Sequence, residues 1–254
     1  MNQAIYDGWI KTTTQTMMYI GEAMMMASLL ERGLGALLYM PIALPVLQGK
    51  LIENGKIDSA RVLSSLTRMS EGDSKFARTE IDNGYQATSK HISIDLWAAI
   101  ENMVEDILTV YLVHDECAVT SICNKYKLKQ PSALVEEKHY RNFISQKWEY
   151  ATNHNNVAAR YAEQLRETGI DVSVDSNTQR VLQELSSGRD ILMHNAGVVD
   201  QRFVDKCPWL GLQLGGKFSP KRDDVKRYIE HCTALTKEIH NAVLKIRNTQ
   251  TGRA

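Results

Sequence analysis

The chain has 254 residues, enough for one large domain or for a domain with an extension, and 43% of them are hydrophobic. Its 30 basic and 30 acidic residues cancel, which excludes a protein that binds nucleic acid through a uniformly basic surface and leaves only a local patch for RNA. The four cysteines lack the spacing of a disulfide framework. Residues 1–7 lack the basic and apolar regions of a signal peptide, so we expect a cytoplasmic protein.

The N-terminal stretch is apolar but interrupted. Residues 17–47 are rich in Met, Leu and Ala, and their uncharged part, residues 34–47, contains Pro41 and Pro45. Such a run is too short and too broken to cross a bilayer as a helix. We predict a core helix followed by an extended segment, with no membrane contact. Binding of this segment to a membrane surface or a partner is the alternative, because Met-rich surfaces are adaptable.

A domain boundary is predicted near residue 75. Asp58 is a suitable N-cap for a short helix, and the run Ser70–Ser74 has the composition of a turn. We therefore expect an N-terminal helical extension at residues 1–75 and a second helical domain at residues 76–254.

The next block carries a strong amphipathic helical pattern in which Gly84 is the main breaker. Apolar residues recur at spacings of three, four or seven positions at Ile81, Tyr85, Ile92, Leu96, Ile100, Val104, Ile107 and Tyr111. Glu101 lies on this helix and is a candidate to face an arginine of the motif described below. The alternative is a solvated position beside Glu105 and Asp106, since acidic helix residues are usually exposed.

Positive charges follow this block. Lys125, Lys127 and Lys129 alternate with Tyr126 and Leu128, which places the three lysines on one side of an extended segment. Lysines with interleaved aromatic rings are typical of a surface that follows a phosphate backbone, so these three residues are candidates for RNA binding. An ordinary solvated loop is the alternative.

A second helix carries the most informative stretch. Ser176 and Gln179 have the spacing of a capping box, and Val181, Leu182 and Leu185 form an apolar stripe that Arg189 continues. A guanidinium on an inward stripe requires an anionic or hydrogen-bonding partner. An ion pair of purely structural role is therefore the alternative to a functional arginine.

His194 lies five residues after Arg189. On a regular helix the two side chains are about 140° apart. They share a site only if the helix ends between them or if a second copy of the motif completes it. Asn195 and Gly197 are suitable helix stops.

The C-terminal part is predicted as a loop or hairpin at residues 207–218 and a long final helix. Ser219, Pro220 and the acidic pair Asp223 and Asp224 suit its first turn. Its apolar face comprises Val225, Tyr228, Ile229, Cys232, Leu235, Ile239, Val243 and Ile246. The whole pattern predicts an all-α fold, a bundle of long helices with additional N-terminal helices.

The run Arg189–Asp200 resembles the R-x4-6-H signature of HEPN domains, and its sequence RDILMHNAGVVD is closest to the RiboL-PSP-HEPN-like branch. The run Leu96–Leu108 resembles the long helix that such proteins place ahead of the motif helix. With the C-terminal helix, the resemblance covers about residues 76–248. A short motif match of this kind also arises by chance, so the resemblance depends on the surroundings of the pair.

The resemblance implies a metal-independent endoribonuclease in which the RNA's own 2′-OH attacks the adjacent phosphate. His194 would transfer protons, because an imidazole titrates near neutral pH. Arg189 would stabilise the transition state, while Asp190 and Asn195 would orient the pair. The resemblance also implies a homodimer in which two motif helices face one cleft.

A HEPN module that only binds RNA, a nucleotide or a protein partner is the alternative function. The process served is open between antiphage defence, a toxin–antitoxin system with an antitoxin or defence-system partner, and RNA turnover. We expect no DNA partner and no cofactor. We also expect no metal, because neither His114 with Cys117 and Cys123 nor His231 with Cys232 has the spacing of a ligand set.

Overall fold

The computed structural model describes residues 3–115, 117–129, 136–152 and 156–250. Over these ranges the chain is all-α, as the sequence predicts, and it forms no β-strand. Val198 and Lys217 form an isolated antiparallel bridge. The helices are α1 (Gln3–Glu53), α2 (Ile57–Asp82), α3 (Gln86–His114), α4 (Ala118–Tyr126), α5 (Glu137–Phe143), α6 (Glu149–Thr152), α7 (Val157–Glu167), α8 (Ser176–His194), α9 (Gln201–Lys206) and α10 (Arg222–Gln250).

Helix α1 runs without a break through Pro41 and Pro45, so the expected extended segment is wrong. Proline removes one helical hydrogen bond and clashes with the preceding turn. Pro45 and the neighbouring Ile42 and Val46 are exposed. A carbonyl freed on such an open face is accessible to solvent, which offsets part of the lost bond.

By length and composition alone, α1 is the one helix in the described ranges that is apolar enough to cross a membrane. Its most apolar 18-residue window has a mean hydropathy of 1.4. Large side chains along α1 are exposed at Met24, Met25, Met26, Leu29, Tyr39, Ile42, Val46 and Leu47. A core helix or an N-terminal signal sequence meets the same length and composition test.

The predicted turn at Ser70–Ser74 is also wrong, because α2 continues through it to Asp82. The real interruption follows at Gly84 and Tyr85, which have φ angles of 71° and 62°. Only glycine adopts this left-handed conformation readily, so Gly84 ends the helical pattern there. The block expected as one helix is therefore the end of α2 followed by α3.

The chain divides into two compact units that do not match the expected boundary at residue 75. The larger unit comprises the described residues of Met1–Glu22, Ser93–Phe218 and Lys226–Ala254, and the smaller unit comprises Ala23–Ile92 and Ser219–Val225. Within the smaller unit, Arg222 forms an ion pair with Glu31, and the Arg222 amide donates to the Gly84 carbonyl at 3.2 Å. These contacts fix the first turn of α10 to the rest of that unit.

The core of the larger unit is built from the faces that the helical periodicity predicts. Its fully buried residues include Trp9 on α1, Leu96, Ile100 and Ile107 on α3, Leu182 and Leu185 on α8, and Tyr228, Cys232, Ile239 and Val243 on α10. Trp9 Nε1 donates to the Ile107 carbonyl at 2.9 Å, so the indole is satisfied inside the core. Burial of these apolar side chains is the main source of the unit's stability.

Candidate functional site

The start of α8 is fixed by Asp175. Its carboxylate accepts hydrogen bonds from the backbone amides of Asn177 and Thr178 at 2.9 and 3.0 Å, which satisfies donors that a helix leaves unpaired. The expected cap at Ser176 is therefore wrong by one residue. Gln179 does not complete a capping box but donates to the Val174 carbonyl at 2.8 Å.

A buried polar cluster joins α8 to α10. Glu184 is 1% exposed, and its carboxylate accepts from both terminal nitrogens of Arg227 at 3.0 and 2.6 Å and from the Tyr228 hydroxyl at 2.5 Å. A buried carboxylate is tolerated only with such partners. This cluster joins α8 to α10 about one turn before Arg189.

Two glycines near the end of α8, Gly188 and Gly197, lie close against Phe218. A Cβ atom added at Gly188 would lie 2.5 Å from Phe218 Cε1, and one at Gly197 would lie 2.9 Å from the Phe218 carbonyl. Phe218 belongs to a buried cluster with Ile191 and Phe203. The helix stops after His194, as Asn195 and Gly197 predict, and Gly197 has a φ angle of 79°.

Arg189 is half-buried and held by two carboxylates. Its Nη1 donates to Asp190 Oδ1 at 3.1 Å, and its Nη2 lies 3.7 Å from Glu101 Oε2. Glu101 on α3 therefore faces the motif arginine, and the alternative of a purely solvated Glu101 is wrong. The hydrogen bond to Asp190 and the longer ion pair with Glu101 involve different branches of the guanidinium, and together they orient it.

Arg189 lines a cavity of about 360 Å³ that also contains a second acid–base pair. Arg160 Nη2 lies 3.6 Å from Glu149 Oε1, while the buried Arg160 Nε has no hydrogen-bond partner in the described part of the chain. Burial raises the pKa of Glu149 above its ordinary value, although the Arg160 guanidinium acts in the opposite direction. The exposed Tyr150 ring lies at the edge of this cavity.

His194 is exposed at the last position of α8 and lines a second cavity, of about 390 Å³. Asn195 follows it, and its Nδ2 donates to Asp200 Oδ2 at 3.2 Å. Asp200 in turn caps α9 through a 2.8 Å bond from the Phe203 amide. Asn195 therefore links the end of α8 to the start of α9 and holds His194 beside that short helix.

The two cavities adjoin. Asp190, Arg202 and Lys206 line both of them, with Arg189 in one cavity and His194 in the other; we call the two cavities together the depression. Arg189 and His194 still differ in direction as expected on a straight helix, because both residues lie within α8. Asp190 contacts Arg189 and lines both cavities, which suits the orienting role expected of it.

The three candidate RNA-binding lysines lie elsewhere. Lys125 belongs to the last turn of α4 and pairs with Glu167, so the expected extended segment is wrong at this residue. Lys127 ends the helix in the left-handed conformation, with a φ angle of 53°. Lys127 and Lys129 are exposed, but none of the three lines either cavity.

The sequence interpretation missed four charged residues of the depression that lie outside the motif run: Glu149, Arg160, Arg202 and Lys206. Arg202 and Lys206 have the four-residue spacing of one helix face after the cap Asp200, a signal that the sequence does contain. Glu149 and Arg160 are brought in by tertiary packing, and no local pattern marks them.

His231 and Cys232, whose spacing does not suit a metal site, have other surroundings. His231 Nδ1 lies 2.9 Å from the Thr178 hydroxyl, and Cys232 is buried with a pKa raised to about 12. Among the described residues no group of three His, Cys, Asp or Glu side chains could hold a metal ion.

No protein-family model, curated protein or solved structure matches this chain.

Proposed function

We propose that the chain is a metal-independent endoribonuclease of HEPN type. The observation that carries the proposal is the depression of two adjoining cavities, one lined by His194 and the other by Arg189, which share Asp190, Arg202 and Lys206. An imidazole next to several cations suits a phosphodiester, which needs proton transfer and stabilisation of negative charge. The metal independence derives from the resemblance of Arg189–Asp200 to the HEPN signature.

The proposed reaction starts with the 2′-OH of the RNA. This hydroxyl loses its proton as its oxygen bonds to the adjacent phosphorus, and the bond from phosphorus to the 5′ oxygen breaks. The leaving 5′ oxygen gains a proton, so the products are a 2′,3′-cyclic phosphate and a 5′-OH. His194 moves a proton, and Arg189 stabilises the charge on the phosphoryl oxygens with its planar fork.

The orientation of Arg189 supports this role. A guanidinium with Nη1 on Asp190 and Nη2 near Glu101 retains N–H donors that can bind a phosphate. Its position is set before the substrate arrives, which is the condition for effective electrostatic stabilisation. Asp190 and Glu101 thus act as positioning residues for the arginine.

A module that binds RNA without cleaving it is the second candidate. The observation in its favour is the same pairing, because Glu101 and Asp190 together neutralise much of the Arg189 charge. A guanidinium with that environment also suits a structural or binding role.

The proposed function is tested by incubating the purified chain with a single-stranded RNA in excess EDTA. We expect cleavage that leaves 2′,3′-cyclic phosphate and 5′-OH ends. An identical RNA with one 2′-deoxy nucleotide is the matched control, because it cannot react at that position. Complete loss of cleavage in EDTA, or cutting at the 2′-deoxy position, would contradict the mechanism.

A further inference from the structure

Helix α9 contributes two cations to the depression. Arg202 and Lys206 are four residues apart and therefore lie on one face of this helix. Both line the cavity of His194 and the cavity of Arg189. Neither belongs to the HEPN signature run, so their role is not implied by the resemblance.

Arg202 and Lys206 differ from Arg160 and Arg189 in having no carboxylate partner. Arg189 pairs with Glu101 and Asp190, and Arg160 pairs with Glu149. No ion pair or side-chain hydrogen bond joins the side chain of Arg202 or Lys206 to any residue in the ranges that the structure describes. Arg202 is exposed, whereas Lys206 is half-buried. A half-buried cation without a partner is destabilising, and a bound anion removes that penalty.

Lys206 is the more buried of the two cations. Burial lowers its pKa below the ordinary value, and Arg202 on the same helix and Arg160 on α7 lower it further. Asp190 on α8 and the adjacent Cys207 act in the opposite direction but do not compensate. A phosphate placed between Arg202 and Lys206 would supply the missing negative charge.

An indole ring lies next to Lys206. Lys206 also lines a third cavity, of about 450 Å³, together with Trp209, Pro208 and Asn156. The Trp209 side chain is 41% exposed, and the Arg180 guanidinium lies 6.0 Å from its ring centre. The guanidinium therefore lies over the ring, while the partial exposure of Trp209 leaves ring surface for another planar group. Exposed aromatic rings beside a basic cleft are how proteins bind the unpaired bases of single-stranded nucleic acid.

We propose that Arg202, Lys206 and Trp209 form a nucleotide subsite for single-stranded RNA. The phosphate binds between Arg202 and Lys206, and the adjacent base stacks on Trp209. The subsite rests on the proposed function for the identity of the ligand. It assigns the substrate class as unpaired RNA, because a base within a duplex has no free face for the indole.

The test is the affinity for a fully 2′-O-methylated RNA oligonucleotide, which cannot be cleaved, measured by fluorescence anisotropy. We expect Lys206→Met and Arg202→Gln each to weaken binding about tenfold. Each should also reduce the slope of log Kd against log salt by about 0.7. Trp209→Leu should weaken binding about tenfold with the slope unchanged, and Trp209→Phe should retain most of the affinity. Lys237→Met is the charge-matched control, since Lys237 is exposed on α10 outside all three cavities.

Two further readouts separate binding from a structural role. Lys206→Met should melt at the wild-type temperature or above it, because it removes an uncompensated charge. RNA affinity of the wild type should fall as the pH rises towards the lowered pKa of Lys206, and this loss should be absent in Lys206→Met.

Equal affinity of wild type, Lys206→Met and Arg202→Gln would overturn the phosphate assignment, and an unaffected Trp209→Leu would overturn the base assignment. A lower melting temperature of Lys206→Met with unaltered binding by Arg202→Gln would make Lys206 structural. RNA binding with the expected sensitivities but no cleavage of unmodified RNA would refute the enzyme and leave the subsite. Cleavage of unmodified RNA, with binding that none of these substitutions weakens, would refute the subsite and leave the enzyme.

Discussion

At the scale of single residues, the orientation of one guanidinium decides what the site can do. The two terminal nitrogens of Arg189 point to different carboxylates, Asp190 and Glu101. A lysine in its place carries the same charge but is a compact point charge that cannot hold two partners in one plane. Replacing Arg189 with lysine therefore keeps the positive charge and removes the planar geometry of the guanidinium.

We predict that Arg189→Lys lowers the cleavage rate by about 10² to 10³-fold, while RNA affinity changes only a few-fold because phosphate contacts are largely Coulombic. The measurement is single-turnover cleavage beside anisotropy. Arg166→Lys is the control, since Arg166 is an exposed partner of Asp171. A variant that retains wild-type cleavage would mean that Arg189 acts only as a charge.

Sequence reasoning identified only part of this site, because it recognises local patterns. Arg189 and His194 were found through their spacing, and Glu101 through its helix. Arg202 and Lys206 lie just beyond the motif but were overlooked because α9 is short and has little apolar periodicity. Glu149 and Arg160 enter through the packing of α6 and α7, which the sequence pattern does not encode.

At the scale of elements, α8 depends on a close approach between its backbone and the Phe218 ring. Phe218 is 7% exposed and packs against Phe203 with ring centres 5.2 Å apart. Gly188 leaves the space for this ring directly before Arg189. The approach therefore couples helix stability to the position of the arginine.

Gly188→Ala should lower the free energy of unfolding by about 1–3 kcal/mol, because the new methyl group overlaps the Phe218 ring. Denaturant unfolding measures this change. The control is Gly72→Ala within α2, where a Cβ atom meets nothing within 4 Å. Alanine there should raise stability by about 1 kcal/mol through helix propensity. A Gly188→Ala variant at least as stable as wild type would contradict this account of α8.

Helix periodicity predicted the buried faces of α8 and α10 well, because burial of a stripe depends directly on spacing. Helix ends were predicted less well. Asp175 rather than Ser176 caps α8, and both residues suit a cap chemically. The prolines of α1 predict a break, yet an exposed helix tolerates them where solvent can reach the freed carbonyls.

At the scale of the whole molecule, the number of chains that build the site is the central question. Arg189 and His194 point in different directions from α8 and line different parts of one depression. The resemblance implies that two motif helices face one cleft, so that two imidazoles are available for the two proton transfers. The domain division also belongs to this scale. Local composition predicts a boundary near residue 75, but Ser70–Ser74 is helical.

We predict a homodimer, with a mass by light scattering of twice the 28.7 kDa of one chain, at micromolar concentration. Cleavage per chain should fall on dilution in step with dissociation. A monomer with intact activity would remove the composite site and leave the depression of one chain as the complete site.

The most direct test of the enzyme is His194→Ala, measured for cleavage rate, RNA affinity and melting temperature. The account predicts a rate lower by about 10² to 10⁴-fold, nearly unchanged affinity and an unchanged melting temperature, because His194 is exposed and transfers protons. His114→Ala is the matched control, since His114 is also exposed near a helix end. Cleavage at the wild-type rate by folded His194→Ala would contradict the central claim.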